Sequence, residues 1–186
     1  MIYLMRHGQD DETYVGGWSN VSLIPEGIKE VQDSAEWIKN NLQIKQIICS
    51  DVYRAVQTAQ IVSKHLNIPY TPSEYLREQN KGLLNGVEKT IAYTKYPGYK
   101  DGEITTETVF PEGESLRDLY ERVKKYLAKI LQMDDGTLLI THRGYINMIY
   151  FLLRNQELDM NKKQFNVTTG SIHELNKEKL LIKKVR

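Results

Sequence analysis

A single cysteine, Cys49, stands among 186 residues, so no disulfide can close within the chain. That absence points to a reducing compartment, and the cytoplasm is the expected setting. No signal peptide is read at the start, because the apolar run of residues 2–5 is short and meets Arg6-His7 at once. No apolar stretch approaches the roughly 20 residues that a membrane-crossing helix needs. Charge of one sign is missing as well. Lys and Arg number 25 against 24 Asp and Glu, a formal net charge of +1, which calls for neither nucleic acid nor an anionic membrane. Repeats, low-complexity tracts and linkers are also lacking, and the length suits one domain, 1–186, with a real core.

What is present is an alternation of short apolar runs and amphipathic segments. Ile2-Tyr3-Leu4-Met5, Ile47-Ile48-Cys49 and Thr137-Leu138-Leu139-Ile140 read as buried strands. Pro25 opens a helix with Ile28, Val31, Ala35, Ile38 and Leu42 on its apolar face. Ser50-Asp51 is placed to cap a second helix, from about Val52 to His65, and Ser115 to cap a third that carries Leu116, Leu119, Val123 and Leu127. A fourth runs from Tyr145 to Leu153. Tyr70 starts a short extended piece, and the tail from Ser171 to Val185 reads as a hairpin whose lysines protect an edge. Buried strands alternating with helices predict a mostly parallel sheet covered on both faces. Residues 81–110 are irregular and rich in Gly, Pro and Tyr, an excursion expected to shape a substrate pocket or to pack Tyr93, Tyr96 and Tyr99 onto the body.

In open α/β sheets, ligands bind outside the carboxyl ends of the strands. Here those ends carry Arg6-His7-Gly8, then Ser50-Asp51 with Arg54 one helical turn on, then Thr141-His142-Arg143-Gly144. Two imidazoles and at least two guanidiniums therefore converge, a cluster that like-charge repulsion disfavours unless an anion joins it. A phosphoryl group fits, since arginine presents a planar fork of donors matched to phosphate oxygens. Gly8 is expected to let the backbone approach the ligand.

These residues resemble the histidine phosphatase superfamily (phosphoglycerate mutase-like). The resemblance rests on Arg6-His7-Gly8, on Gly17-Trp18 through Leu23 and Gly27, and on Ser50-Asp51 with Arg54 and Thr58-Ala59. It continues in Leu76-Arg77-Glu78 with Gly82 and Gly86, in Pro111-Glu112-Gly113-Glu114-Ser115 with Arg122-Val123, and in Thr141-His142. It implies a three-layer α/β/α sandwich and a metal-independent phosphomonoester hydrolase with no cofactor, acting on a small phosphorylated metabolite. His7 would take the phosphoryl group, Arg6, Arg54, His142 and Gly8 would hold its oxygens, and Glu78 would protonate the leaving oxygen and then activate water. Glu74 and Glu88 are the substitutes for Glu78 if the register slips. The rival readings are a phosphoglycerate-type mutase and a non-catalytic phospho-ligand binder.

Two stretches depart from that family pattern. The family's first loop continues with a threonine and then an asparagine, where this chain has Gln9-Asp10-Asp11-Glu12. The three acids read as a solvated loop or a weak metal site, and one expectation places them at the pocket mouth, disfavouring polyanionic substrates. Arg143 stands where a glycine usually follows the second histidine. Arg143 and Gln9 are candidate substrate contacts.

Overall fold

The computed structural model describes residues 1–100, 102–161 and 163–186. Among these residues six strands form one sheet: β1 (Ile2–Arg6), β2 (Gln46–Ser50), β3 (Tyr70–Ser73), β4 (Thr137–Thr141), β5 (Ile172–Asn176) and β6 (Leu181–Lys184), in the order β3-β2-β4-β1-β5-β6. The first four run parallel to one another, and β5 runs antiparallel to both β1 and β6. The tail hairpin therefore extends a parallel sheet and ends in the edge strand that carries Lys183 and Lys184.

Side chains on β1 alternate between the two faces, as the pleat requires. Ile2 and Leu4 join the core under α4 (Leu116–Gln132) and α5 (Arg143–Arg154), with Leu119, Val123 and Ile149. Tyr3 and Met5 join the other core, under α1 (Pro25–Asn41) and α2 (Tyr53–Leu66), with Val31, Ile38, Ala59 and Val62. The result is the expected mixed α/β sandwich. A third, smaller cluster packs Val15, Leu84, Ile104 and Phe110 with Tyr93, Tyr96 and Tyr99, around the short helix α3 (Lys89–Lys95). The tyrosines thus pack the 81–110 excursion onto the body.

Ser115 caps α4 as expected, in a reciprocal capping box with Asp118, worth about 1 kcal/mol. Two local expectations fail. Ile28 is exposed, because Gly27 turns inward instead: a β-carbon there would lie 2.1 Å from Gln9 O. Neither Ser50 nor Asp51 caps α2, whose N-cap is Val52 with no side-chain bond. Asp51 is drawn off by a stronger partner, accepting a forked pair of hydrogen bonds from Arg77, whose Nε lies 2.6 Å from Oδ1.

Candidate active site

The carboxyl ends of β1, β2 and β4 meet as predicted. Parallel pairing sets Arg6 beside Thr141, and the His7 N–H continues the ladder by donating to Thr141 O at 3.0 Å. The two imidazoles that follow lie with centroids 5.1 Å apart. Arg54, in the first turn of α2, reaches between them.

Hydrogen bonding fixes which ring nitrogen carries each proton. His7 Nδ1 lies 2.7 Å from Gly8 O; a carbonyl only accepts, so Nδ1 holds the hydrogen and Nε2 the lone pair. Arg54 Nε donates to that Nε2 at 3.1 Å. A second Arg54 nitrogen donates to His142 Nδ1 at 3.1 Å, which leaves the His142 hydrogen on Nε2, facing Ser50 Oγ at 2.9 Å. Two more of the five Arg54 N–H groups go to Ser19 Oγ and Gly17 O. Burial, then Arg54, lowers both histidines well below their ordinary value, with Arg6 adding to the effect on each. Both rings are neutral near pH 7. Burial, followed by the neighbouring charge of Arg143, brings Arg6 down to about 10, so it stays cationic.

A cavity of about 370 Å³ opens over this cluster and is lined by Arg6, His7, Asp10, Arg54, Glu78 and Arg143, along with apolar Ile104, Met148 and Phe151. Its size is that of a small-molecule site. Arg6 donates one bond to Val167 O at 3.0 Å, while its buried Nε has no partner among the described residues. Glu78 lines the cavity; Glu74 and Glu88 do not.

Two candidate contacts have partners in the protein itself. The Gly8 N–H is taken by Thr58 Oγ1 at 3.2 Å, and a β-carbon on Gly8 would meet Val31 Cγ2 at 2.5 Å and Gly27 O at 2.6 Å. This glycine makes room for α1. Gln9 lies against α1, donating from its N–H to Glu30 and accepting from Ile24, outside the cavity lining. Asp10 corrects the reading of a solvated loop: its side chain is 14% exposed and pairs with Arg54 Nε at 3.4 Å. Among the described residues no group of three His, Cys, Asp or Glu side chains is placed to hold a metal.

Sequence reasoning gave no role to the residues that hold Glu78. Its backbone carbonyl accepts from Trp18 Nε1 at 2.7 Å and from Arg122 at 3.1 Å. Arg122 is itself paired with Glu114 at 2.7 Å, and Glu114 accepts the Asn80 N–H. The only signal was that Trp18, Glu114 and Arg122 belong to the motifs that carried the resemblance.

A profile of the histidine phosphatase superfamily (branch 1) matches residues 2–184. The probable phosphoglycerate mutase GpmB of Salmonella arizonae is 30% identical over 148 residues, which cover 76% of this chain and 68% of the relative. The corresponding protein of an Enterobacter species is 31% identical over 154 residues, with 76% and 68% covered. The chain belongs to the histidine phosphatase superfamily. The superfamily's fold is also shared by solved structures. A Shigella flexneri α-ribazole phosphatase superposes with a TM-score of 0.80 at 19% identity, covering 98% of this chain and 93% of that one. A mycobacterial glucosyl-3-phosphoglycerate phosphatase gives 0.78 at 20%, covering 99% and 96%. No helix among the described residues is long and apolar enough to cross a membrane.

Buried neutral histidines carry a cost in acid. His173 sits between Tyr150 OH and Ser171 Oγ, each at 2.9 Å, and burial lowers it to about 4. His7, His142 and His173 all titrate lower in the folded chain than in the unfolded one, whose value is about 6.5. Their stabilisation is therefore complete above pH ~6.5 and is lost as pH falls through that value toward the folded pKa, by about 1.4 kcal/mol per pH unit per histidine. The urea midpoint is expected to drop steeply between pH 7 and pH 5. A midpoint that holds steady would mean that the rings are not buried neutral.

Proposed function

We propose that this chain is a phosphomonoester hydrolase working through a phosphohistidine on His7. The observation that carries the reading is the Nε2 lone pair of His7, oriented by the Nδ1–H bond to Gly8 O and set among Arg6, Arg54 and Arg143 at the cavity floor. As the ester binds, the Arg54 Nε–H that Nε2 accepts turns to a phosphoryl oxygen; the freed Nε2 lone pair attacks phosphorus in line and the ester P–O bond breaks. Glu78 gives its proton to the departing oxygen. Positive charge that develops on the ring is shared through Nδ1–H with the Gly8 carbonyl, and Arg6 and Arg54 hold the phosphoryl oxygens. In the second step Glu78 takes a proton from water, the resulting hydroxide attacks phosphorus, and the N–P bond breaks with its electron pair returning to Nε2. His142 Nδ1 accepts from Arg54 as arranged, so His142 joins in holding phosphate only once that nitrogen is protonated, which a bound anion favours.

Hydrolysis is favoured over return of the phosphoryl group to an organic acceptor because the cavity runs out to exposed Glu12, Tyr14, Asp159 and Asn161, leaving water a path to the intermediate. Arg143 lines the same cavity half-buried and is read as a contact to an anionic part of the leaving group. Asp10, Asp11 and Glu12 line it too and oppose a second phosphate.

Across a panel of phosphate esters, inorganic phosphate should be released with no bisphosphate activator present, and monophosphates should outrun bisphosphates. A strict need for the activator, with isomerised ester as product, would instead make the protein a mutase.

A further inference from the structure

Helix α5 opens with Arg143 and then Gly144, a residue without a side chain. A β-carbon at Gly144 would lie 2.1 Å from Glu78 Oε1, 3.0 Å from its Cδ and 3.2 Å from its Oε2. These are the nearest atoms, and all belong to one carboxyl group. Gly144 has no positive φ, so its backbone conformation does not call for glycine. What the missing side chain provides is a seat for Glu78. The Gly144 N–H donates to Oε2 at 3.0 Å and the Gln79 N–H to Oε1 at 3.0 Å. With the Glu78 carbonyl held by Trp18 and Arg122, the residue is fixed at both its backbone and its tip.

We infer that Gly144 is a positioning residue for proton transfer: by leaving its side of α5 bare it lets Glu78 rest on the first turn of the helix, aimed at the leaving oxygen. The inference rests on the reading of Glu78 as the proton donor. Any side chain at position 144 pushes the carboxyl group away from that turn, while the nucleophile and the cations stay in place.

Gly144→Ala separates these functions. Alanine is the better helix former, and the atoms it displaces are the end of a flexible side chain, so the fold is expected to hold. With an alkyl phosphate, whose alkoxide departs only with a proton, kcat/KM should fall about 10²-fold, the scale of an ångström's misplacement. With 4-nitrophenyl phosphate, whose phenolate departs unaided, kcat/KM should fall less than about 3-fold. Its kcat should still drop, with a burst of nitrophenolate, because hydrolysis of the phosphohistidine needs the same carboxylate as base. Glu78→Asp, one methylene shorter, should cost less in the Gly144→Ala background than alone, since the two residues share one contact.

Equal losses on the two esters, or additive effects of Glu78→Asp and Gly144→Ala, would overturn the inference. Glu78→Gln tells the two levels apart. If it splits the alkyl and aryl esters while Gly144→Ala does not, the positioning role alone is wrong. If Glu78→Gln shows no split, the proton-donor assignment falls and takes the positioning role with it.

Discussion

His7→Ala will lower kcat by about 10⁶-fold, the scale seen when an activated nucleophile is removed outright. It will also abolish the phosphoenzyme, which in the native protein should survive alkali and be lost in acid, as a phosphorus–nitrogen bond is. No nearby group can substitute. His142, with its centroid 5.1 Å away, lies outside the cavity lining and keeps its hydrogen on Ser50. Asp10 is tied to the same guanidinium. The substitution leaves a buried space the size of an imidazole, and Asp10 remains beside Arg54 Nε, so the fold should persist. Added imidazole should then recover part of the turnover by occupying that space, without labelling the protein. Substantial turnover of a good aryl phosphate by His7→Ala, with no imidazole present, would remove the nucleophile assignment.

The parts of this site that were legible in the sequence are those set by local periodicity and by the end of a strand. Ile2 to Met5 could only be a short buried strand, so Arg6 and His7 had to emerge at its carboxyl end; Thr141-His142 and Ser50 followed by the same rule. Ser115 was readable as a cap because its partner Asp118 lies one turn away. What stayed hidden depends on contacts between residues far apart in the chain, which no local period records. Gly8 looked like a glycine for a ligand and serves α1, 19 to 23 positions on, at Gly27 and Val31. Ser50 looked like a helix cap and faces His142, 92 positions on. Glu78 was placed only through the family resemblance, because the Trp18, Arg122 and Gly144 contacts that hold it lie 44 to 66 positions away. Asp10 read as solvated because nothing local announces that Arg54 will be its partner.

Arg54→Ala should prove costlier than the loss of a single phosphate contact, and its cost should depend on pH. Removing one well-placed oxyanion donor typically costs ~2.7–4 kcal/mol, about 10²–10³ in kcat. Arg54 has a second effect that most such donors lack: after burial, it is the largest influence holding His7 and His142 below their ordinary pKa. Without it both pKa values rise. The sign follows directly. A higher His7 pKa protonates Nε2 over more of the acid range, so the acid limb of kcat/KM moves to higher pH and the deficit shrinks as pH rises. We expect a loss of about 10²–10³-fold that is larger at pH 6 than at pH 8. Arg54→Lys keeps the charge but not the fork that reaches Gly17, Ser19 and both imidazoles at once. It should therefore hold the acid limb near its native position while kcat stays low. If Arg54→Ala instead shows the same deficit at every pH, Arg54 acts on the phosphoryl group alone, and the neutrality of His7 must be due to burial and Arg6 without it.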